Sequence, residues 1–208
     1  SFTSEHGNIW FERTEHTWEN GRCIYCRANE DSYERGEDLE THAYAFIHTH
    51  DINARIAELF GGDMQFDVII GNPPYQLSTE GHGNQARPIY HQFVEQAKKL
   101  DPRYLVMVTP SRWFSGGMGL NDYRKAMLSD RCMRVIVDYP KLYDGFPSVK
   151  IRGGISYFVR AREHNGPCTI QTMWDGEPLG PPTDRYLDQF DILVRRNEAI
   201  PILEKVMA

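Results

Sequence analysis

Along the chain, short apolar runs alternate with segments whose apolar residues recur every three or four positions. Val68-Ile69-Ile70 and residues 104–109, 133–138 and 155–159 are apolar runs of strand length, and they predict four buried strands. Between the first two, Ile89, Phe93, Ala97 and Leu100 fall on one helical face, and Pro88 suits the first turn of that helix. Residues 120–129 predict another helix, with Asn121 as its cap and Tyr123 and Met127 inward. Ahead of the first strand, Ile52, Ile56 and Phe60 form one apolar stripe, opened by Asp51 as an N-cap and closed by Gly61-Gly62. Residues 41–50 read as a strand of mixed small and aromatic residues, which puts His48 and His50 on one face. A His-x-His pair of this kind is more often a surface or core pair than a metal chelate. Beyond Arg162 the pattern weakens, until Ile200, Leu203 and Met207 give helical spacing over 197–207.

Strand–helix–strand–helix–strand order predicts an α/β fold, with mostly parallel strands, flanking helices and crossover connections. No helix separates the last two strands, so an antiparallel closing strand is expected.

The first strand runs into Gly71-Asn72-Pro73-Pro74-Tyr75. Two consecutive prolines fix two φ angles and remove two backbone donors. Asn72 and Pro73 each precede a proline and are pushed into extended conformations. The result is a stiff loop at the carboxyl end of a strand, where open α/β sheets place their ligands.

The N-terminal 40 residues are polar, acidic and rich in aromatics. Residues 8–11 suit a short strand, and Asn20-Gly21 reads as a tight hairpin turn. Cys23-x-x-Cys26 follows at once and is half of a zinc ribbon, with His16 and His6 as candidate further ligands. The plain alternative is a pair of reduced thiols. Cys132 and Cys168 are isolated, so the four cysteines do not form a disulfide framework.

Net charge is −6, which alone argues against a polyanionic partner. Its distribution changes that picture. Residues 1–65 hold 5 Lys/Arg and 13 Asp/Glu, residues 66–162 hold 14 and 8, and residues 163–208 hold 4 and 8. The segment with the diproline corner is therefore the basic one, as contact with phosphates requires. No apolar run approaches transmembrane length, and no signal pattern follows Ser1. A piece of a cytoplasmic protein is the reading, with no membrane partner.

An apolar strand followed by Asn72-Pro73-Pro74-Tyr75 resembles the catalytic motif of the DNA amino-methyltransferases, above all the N6-adenine methyltransferases of restriction–modification systems. The resemblance covers about residues 41–162. It implies a partial Rossmann-like methyltransferase sheet, base flipping, double-stranded DNA as partner and S-adenosylmethionine as methyl donor. It also implies that Asn72, Pro73, Pro74 and Tyr75 are catalytic. Tyr75 would stack on the target base, and Phe146 stands where the family carries an aromatic against that base; an ordinary loop aromatic is the alternative. Three regions follow: an N-terminal appendage over 1–40, the catalytic half of a methyltransferase domain over 41–162, and the start of a target-recognition or linker region over 163–208. The 111–119 loop and that last region would face DNA.

One departure is plain. In the arrangement resembled, a strand–Gly-x-Gly–helix cofactor half precedes the catalytic motif, and residues 1–65 contain none. Gly117-Met118-Gly119 follows the wrong strand. The expectation is that this chain binds S-adenosylmethionine poorly and is inactive without an upstream cofactor-binding half. Two other functions remain open at this point. Methyltransferases of protein glutamine or of RNA guanine share the motif, and a non-catalytic DNA-binding or specificity fragment would share the charge pattern. No endonuclease signature is visible.

Overall fold

A computed structural model gives the fold; it describes residues 16–30, 43–62, 64–76, 87–147 and 149–207. These fall into two compact units, one within residues 1–64 and 76–100, the other within 65–75 and 101–208.

The first unit begins with a two-stranded hairpin, β1 (Trp18–Glu19) and β2 (Arg22–Cys23). Asn20 and Gly21 both take positive φ, 53° and 72°, which matches the twist a two-residue hairpin turn requires. Residues 8–11 and His6 lie outside the described residues. Where a strand was expected over 41–50, a short helix forms, α1 (Ala43–Ile47). Its alternating small and aromatic residues also satisfy helical spacing, because Tyr44 and Ile47 are one turn apart and both are buried. His48 and His50 therefore do not share a strand face.

Helix α2 (Ile52–Phe60) starts as the sequence predicts, with Asp51 accepting from the Ala54 amide at 3.0 Å. Helix α3 (Tyr90–Lys99) buries Phe93, Val94 and Ala97. Pro88 does not open α3; it bridges to Gln76, and Ile89 precedes the helix. Gln96 of α3 is buried, yet its amide donates to Phe46 O at 2.9 Å and Thr49 O at 2.8 Å. Those bonds tie α3 to the end of α1.

The second unit is built on a seven-stranded sheet of β3 (Val68–Gly71), β4 (Tyr104–Pro110), β5 (Met133–Tyr139), β6 (Ile155–Ala161), β7 (Cys168–Trp174), β8 (Glu177–Pro178) and β9 (Thr183–Arg185). Its order is β3-β4-β6-β5-β7-β8, with β9 also on β7. Strands β3, β4, β5 and β7 run one way. The closing strand β6 runs against them and inserts between β4 and β5. Helix α4 (Asn121–Leu128) connects β4 to β5 in the chain and buries Tyr123 and Met127, as its spacing predicts. Asn121 is not its N-cap; its side-chain oxygen accepts instead from the Gly117 amide at 3.0 Å.

Register explains the core. Met107, Phe158, Ile136 and Ile170 pair in turn across four central strands and are all buried. Two residues on, Thr109, Ser156, Asp138 and Thr172 form the next such rung, also buried but wholly polar. Strand β3 differs from expectation. Its apolar run predicts burial, but Val68 is 48% and Ile70 76% exposed. It is the end strand of the sheet and, among the described residues, pairs only with β4.

Past Arg162, the sheet continues through β7, with β8 and β9 beside it. The tail is lashed back by Thr172 Oγ1 donating to Arg195 O at 2.7 Å and Leu193 N donating to Phe114 O at 2.9 Å. Helix α5 (Ile200–Met207) follows, with no residue buried. Among the described residues no helix is long and apolar enough to cross a membrane.

Candidate active site

The diproline corner leaves the carboxyl end of β3, whose last residue is Gly71. A Cβ there would lie 2.7 Å from Met107 Sδ on β4, so glycine leaves room for the Met107 side chain at this level. Pro73 is buried, Pro74 and Tyr75 are half-buried, and Asn72 is exposed. Rigidity thus comes from the anchored prolines, while the amide that precedes them stays accessible.

The Tyr75 hydroxyl donates to Asn72 Oδ1 at 2.7 Å. Burial pushes the Tyr75 phenol up to about 12, so it remains a protonated donor near neutrality. A carboxamide oxygen has two lone pairs. Tyr75 takes one and fixes the rotation of the amide, which leaves the second for a donor on a substrate.

Strands β4 and β5 run in the direction of β3, so their exits lie on the same edge of the sheet. From β4 comes a 3-10 turn, Ser111–Phe114, with Trp113 and Phe114 buried. This anchors the front of the 111–119 loop. From β5 comes the 140–154 segment, which holds Phe146, half-buried, its carbonyl accepting from the Val149 amide at 3.1 Å. The sheet topology puts Phe146 on the edge that carries Asn72 and Tyr75.

Behind this edge sits a group the sequence did not single out. Ser111 Oγ donates to Asp138 Oδ1 at 2.6 Å, and Arg195 Nε approaches Asp138 Oδ2 at 3.4 Å. Burial raises the Asp138 carboxyl above its ordinary range, and the Arg195 guanidinium and Ser111 hydroxyl offset only part of that. Arg195 also donates to Gly153 O. It thereby joins the tail to the exits of β4 and β5. No local pattern marks Asp138; only the register of β5 against β6 and β7 places it.

The described residues do not fit S-adenosylmethionine. Ahead of the diproline corner none forms a strand leading through Gly-x-Gly into a helix; β4, which leads through Gly117-Met118-Gly119 into α4, lies after it. The glycines at 116–119 serve α4 instead: a Cβ on Gly116 would meet Arg124 Nη1 and Asn121 Oδ1, and the Gly117 amide is held by Asn121.

In the first unit, the sequence-predicted pair Cys23 and Cys26 is buried and not joined in a disulfide. His16 and His48 join it, and the four ligand atoms all lie within 4.8 Å of one another. The Cys23 thiol is driven far below its ordinary range, chiefly by the Cys26 side chain, with His16, His48 and the Cys26 amide adding to it against burial.

An adenine-specific methylase of Mycoplasma pneumoniae, itself uncharacterized, is 34% identical over 182 residues, which cover 83% of this chain and 43% of that protein. The chain thus spans under half the length of that relative. Among solved structures, the methyltransferase subunit of a type I restriction–modification system from Streptococcus thermophilus matches with 13% identity and a TM-score of 0.38, over 68% of this chain and 31% of that one. A chain from a type I restriction–modification assembly matches with 17% identity and a TM-score of 0.40, over 69% and 29%. The model of one family aligns with residues 1–146, diproline corner included, and on that match the chain belongs to the Eco57I restriction-modification methylase family.

Proposed function

We propose that this chain carries the catalytic half of a site-specific DNA methyltransferase of a restriction–modification system, which moves a methyl group from S-adenosylmethionine to adenine N6. The observation that carries the reading is the exposed Asn72 amide, its oxygen oriented by Tyr75, at a corner anchored by buried Pro73.

Adenine N6 is a poor nucleophile because its lone pair is delocalised into the ring. Two acceptors at its amino hydrogens localise that pair. Asn72 Oδ1 supplies one through its remaining lone pair, and the Pro73 carbonyl supplies the other, aimed by the fixed proline φ. Both favour the positive charge that develops on nitrogen, without reorganising when it does. No strong base is needed for this role.

The base must leave the duplex to be reached. Tyr75 and Phe146 are the aromatic faces we assign to hold it. Arg112, Lys141, Lys150, Arg152 and Arg196 lie in the segments that leave or return to this edge, a charge supply suited to phosphates. We assign the donor's site to a preceding half of the same protein, because no strand–Gly-x-Gly–helix pattern stands in residues 1–65 ahead of the diproline corner. Such an enzyme would work in the cytoplasm, beside the DNA.

The test is to incubate the full-length protein with isotopically labelled S-adenosylmethionine and duplex DNA, and to identify the modified nucleoside by mass spectrometry. N6-methyladenine supports the reading. Label found only in protein glutamine or in RNA guanine replaces it, and DNA binding without any transfer reduces the chain to a specificity module.

A further inference from the structure

We propose that His16, Cys23, Cys26 and His48 form a structural zinc site that staples the β1–β2 hairpin to helix α1. The case is geometric. The ligand atoms of all four residues lie within 4.8 Å of one another. Tetrahedral zinc with ordinary Zn–S and Zn–N bonds separates its ligands by about 3.3–3.8 Å. Cys26 Sγ and His16 Nδ1 are already 3.6 Å apart. The remaining separations need close by at most about 1.5 Å around an ion.

His48 supplies the independent sign of a ligand. Its Nδ1 donates to Tyr44 O at 2.6 Å, which fixes the tautomer and leaves the lone pair on Nε2. That Nε2 is buried and has no hydrogen-bond partner. An imidazole that donates one ring N–H to a backbone carbonyl and presents the other nitrogen bare is the arrangement metal-bound histidines adopt. An orphaned buried acceptor otherwise costs about 1–3 kcal/mol.

The hairpin shapes the other half of the site. Cys23 ends β2, its amide donates to Ala28 O at 2.9 Å, and its carbonyl accepts from the Arg27 amide at 3.0 Å. Arg27 takes a φ of 63°, which turns the chain back and closes a knuckle around the two thiols. Two thiolates and two imidazoles select zinc over the harder divalent ions, and four protein ligands leave no open position for chemistry. The role is therefore structural. A hairpin of two-residue strands lacks the area to hold itself, and the buried cluster around it, with Tyr44, Ile47, Ile89 and Phe93, is small.

The test uses the full-length protein, purified without a histidine tag, and zinc itself as the probe. Elemental analysis should find about one zinc per chain from this site, and cobalt(II) substitution should give the visible bands of a tetrahedral site with thiolate charge transfer. In a chelator competition, His48→Ala should weaken zinc binding at least about tenfold, while His50→Ala leaves it unchanged. Wild-type protein without zinc and with titratable thiols, or with Cys23 and Cys26 oxidised to a disulfide, overturns the proposal. So does equal zinc affinity in wild type and His48→Ala. If His48→Ala does not fold, wild-type zinc content and the cobalt spectrum decide.

Discussion

Tyr75 does two things that its place in the motif does not separate. Its ring is the face assigned to a flipped base, and its hydroxyl holds Asn72 Oδ1 at 2.7 Å. Removing the hydroxyl alone costs one hydrogen bond, about 1 kcal/mol, so Tyr75→Phe should lower kcat by less than about tenfold in the full-length enzyme. Tyr75→Ala also removes the stacking surface, worth about 1–3 kcal/mol per base, and should weaken capture of a fluorescent base analogue at the target position. Equal losses in both variants would mean that the hydroxyl is the ring's whole contribution. The corner residues were legible because two prolines and a glycine dictate local geometry. Asp138 was not, because its character comes from burial among three other strands. Its carboxyl is raised above the ordinary range, so the folded state holds its proton more tightly than the unfolded chain does. That share of stability is full below the ordinary carboxylate pKa of about 4 and is lost as pH rises through the raised value. Denaturant unfolding at pH 4 and pH 8 should therefore show Asp138→Asn gaining stability relative to wild type as pH rises. A difference that shrinks or stays constant contradicts the assignment.

At the scale of elements, periodicity identified what local sequence controls. The stripe and cap of α2 are an example: Asp51 accepts from Ala54 N as its position demands. Asp51→Ala should cost about 1 kcal/mol of stability, read from denaturant unfolding, and no measurable loss would show that the cap is idle. Periodicity failed where partners decide. Residues 43–47 are too few to tell a strand from a helix turn, and the burial of Tyr44 and Ile47 settled it as α1. Apolar character alone made β3 look buried, although Ile70 stands 76% exposed on an end strand. The weak pattern past Arg162 concealed β7, whose alternation of Ile170 and Thr172 with Thr169 and Gln171 is that of a half-buried strand. Its pairing with β5 was beyond local reading.

At the scale of the whole molecule, the strand order explains why one short motif can organise a site. Strands β3, β4 and β5 run one way, with antiparallel β6 between the last two, so residues far apart in sequence leave the sheet at one edge. Among the described residues ahead of the diproline corner, none forms the strand–Gly-x-Gly–helix cradle expected for the methyl donor. Calorimetric titration of the 208-residue chain with S-adenosylmethionine should show no micromolar binding, and micromolar affinity would place the donor's site on residues described above. The central claim is that the Asn72 amide activates an exocyclic amine. Its most direct measurement is methyl transfer to duplex DNA by full-length Asn72→Ala, alongside the affinity of the same variant for that DNA. The account predicts a fall in transfer of at least about a hundredfold, with DNA affinity nearly unchanged. Transfer at the wild-type rate contradicts it, as does a parallel loss of transfer and binding.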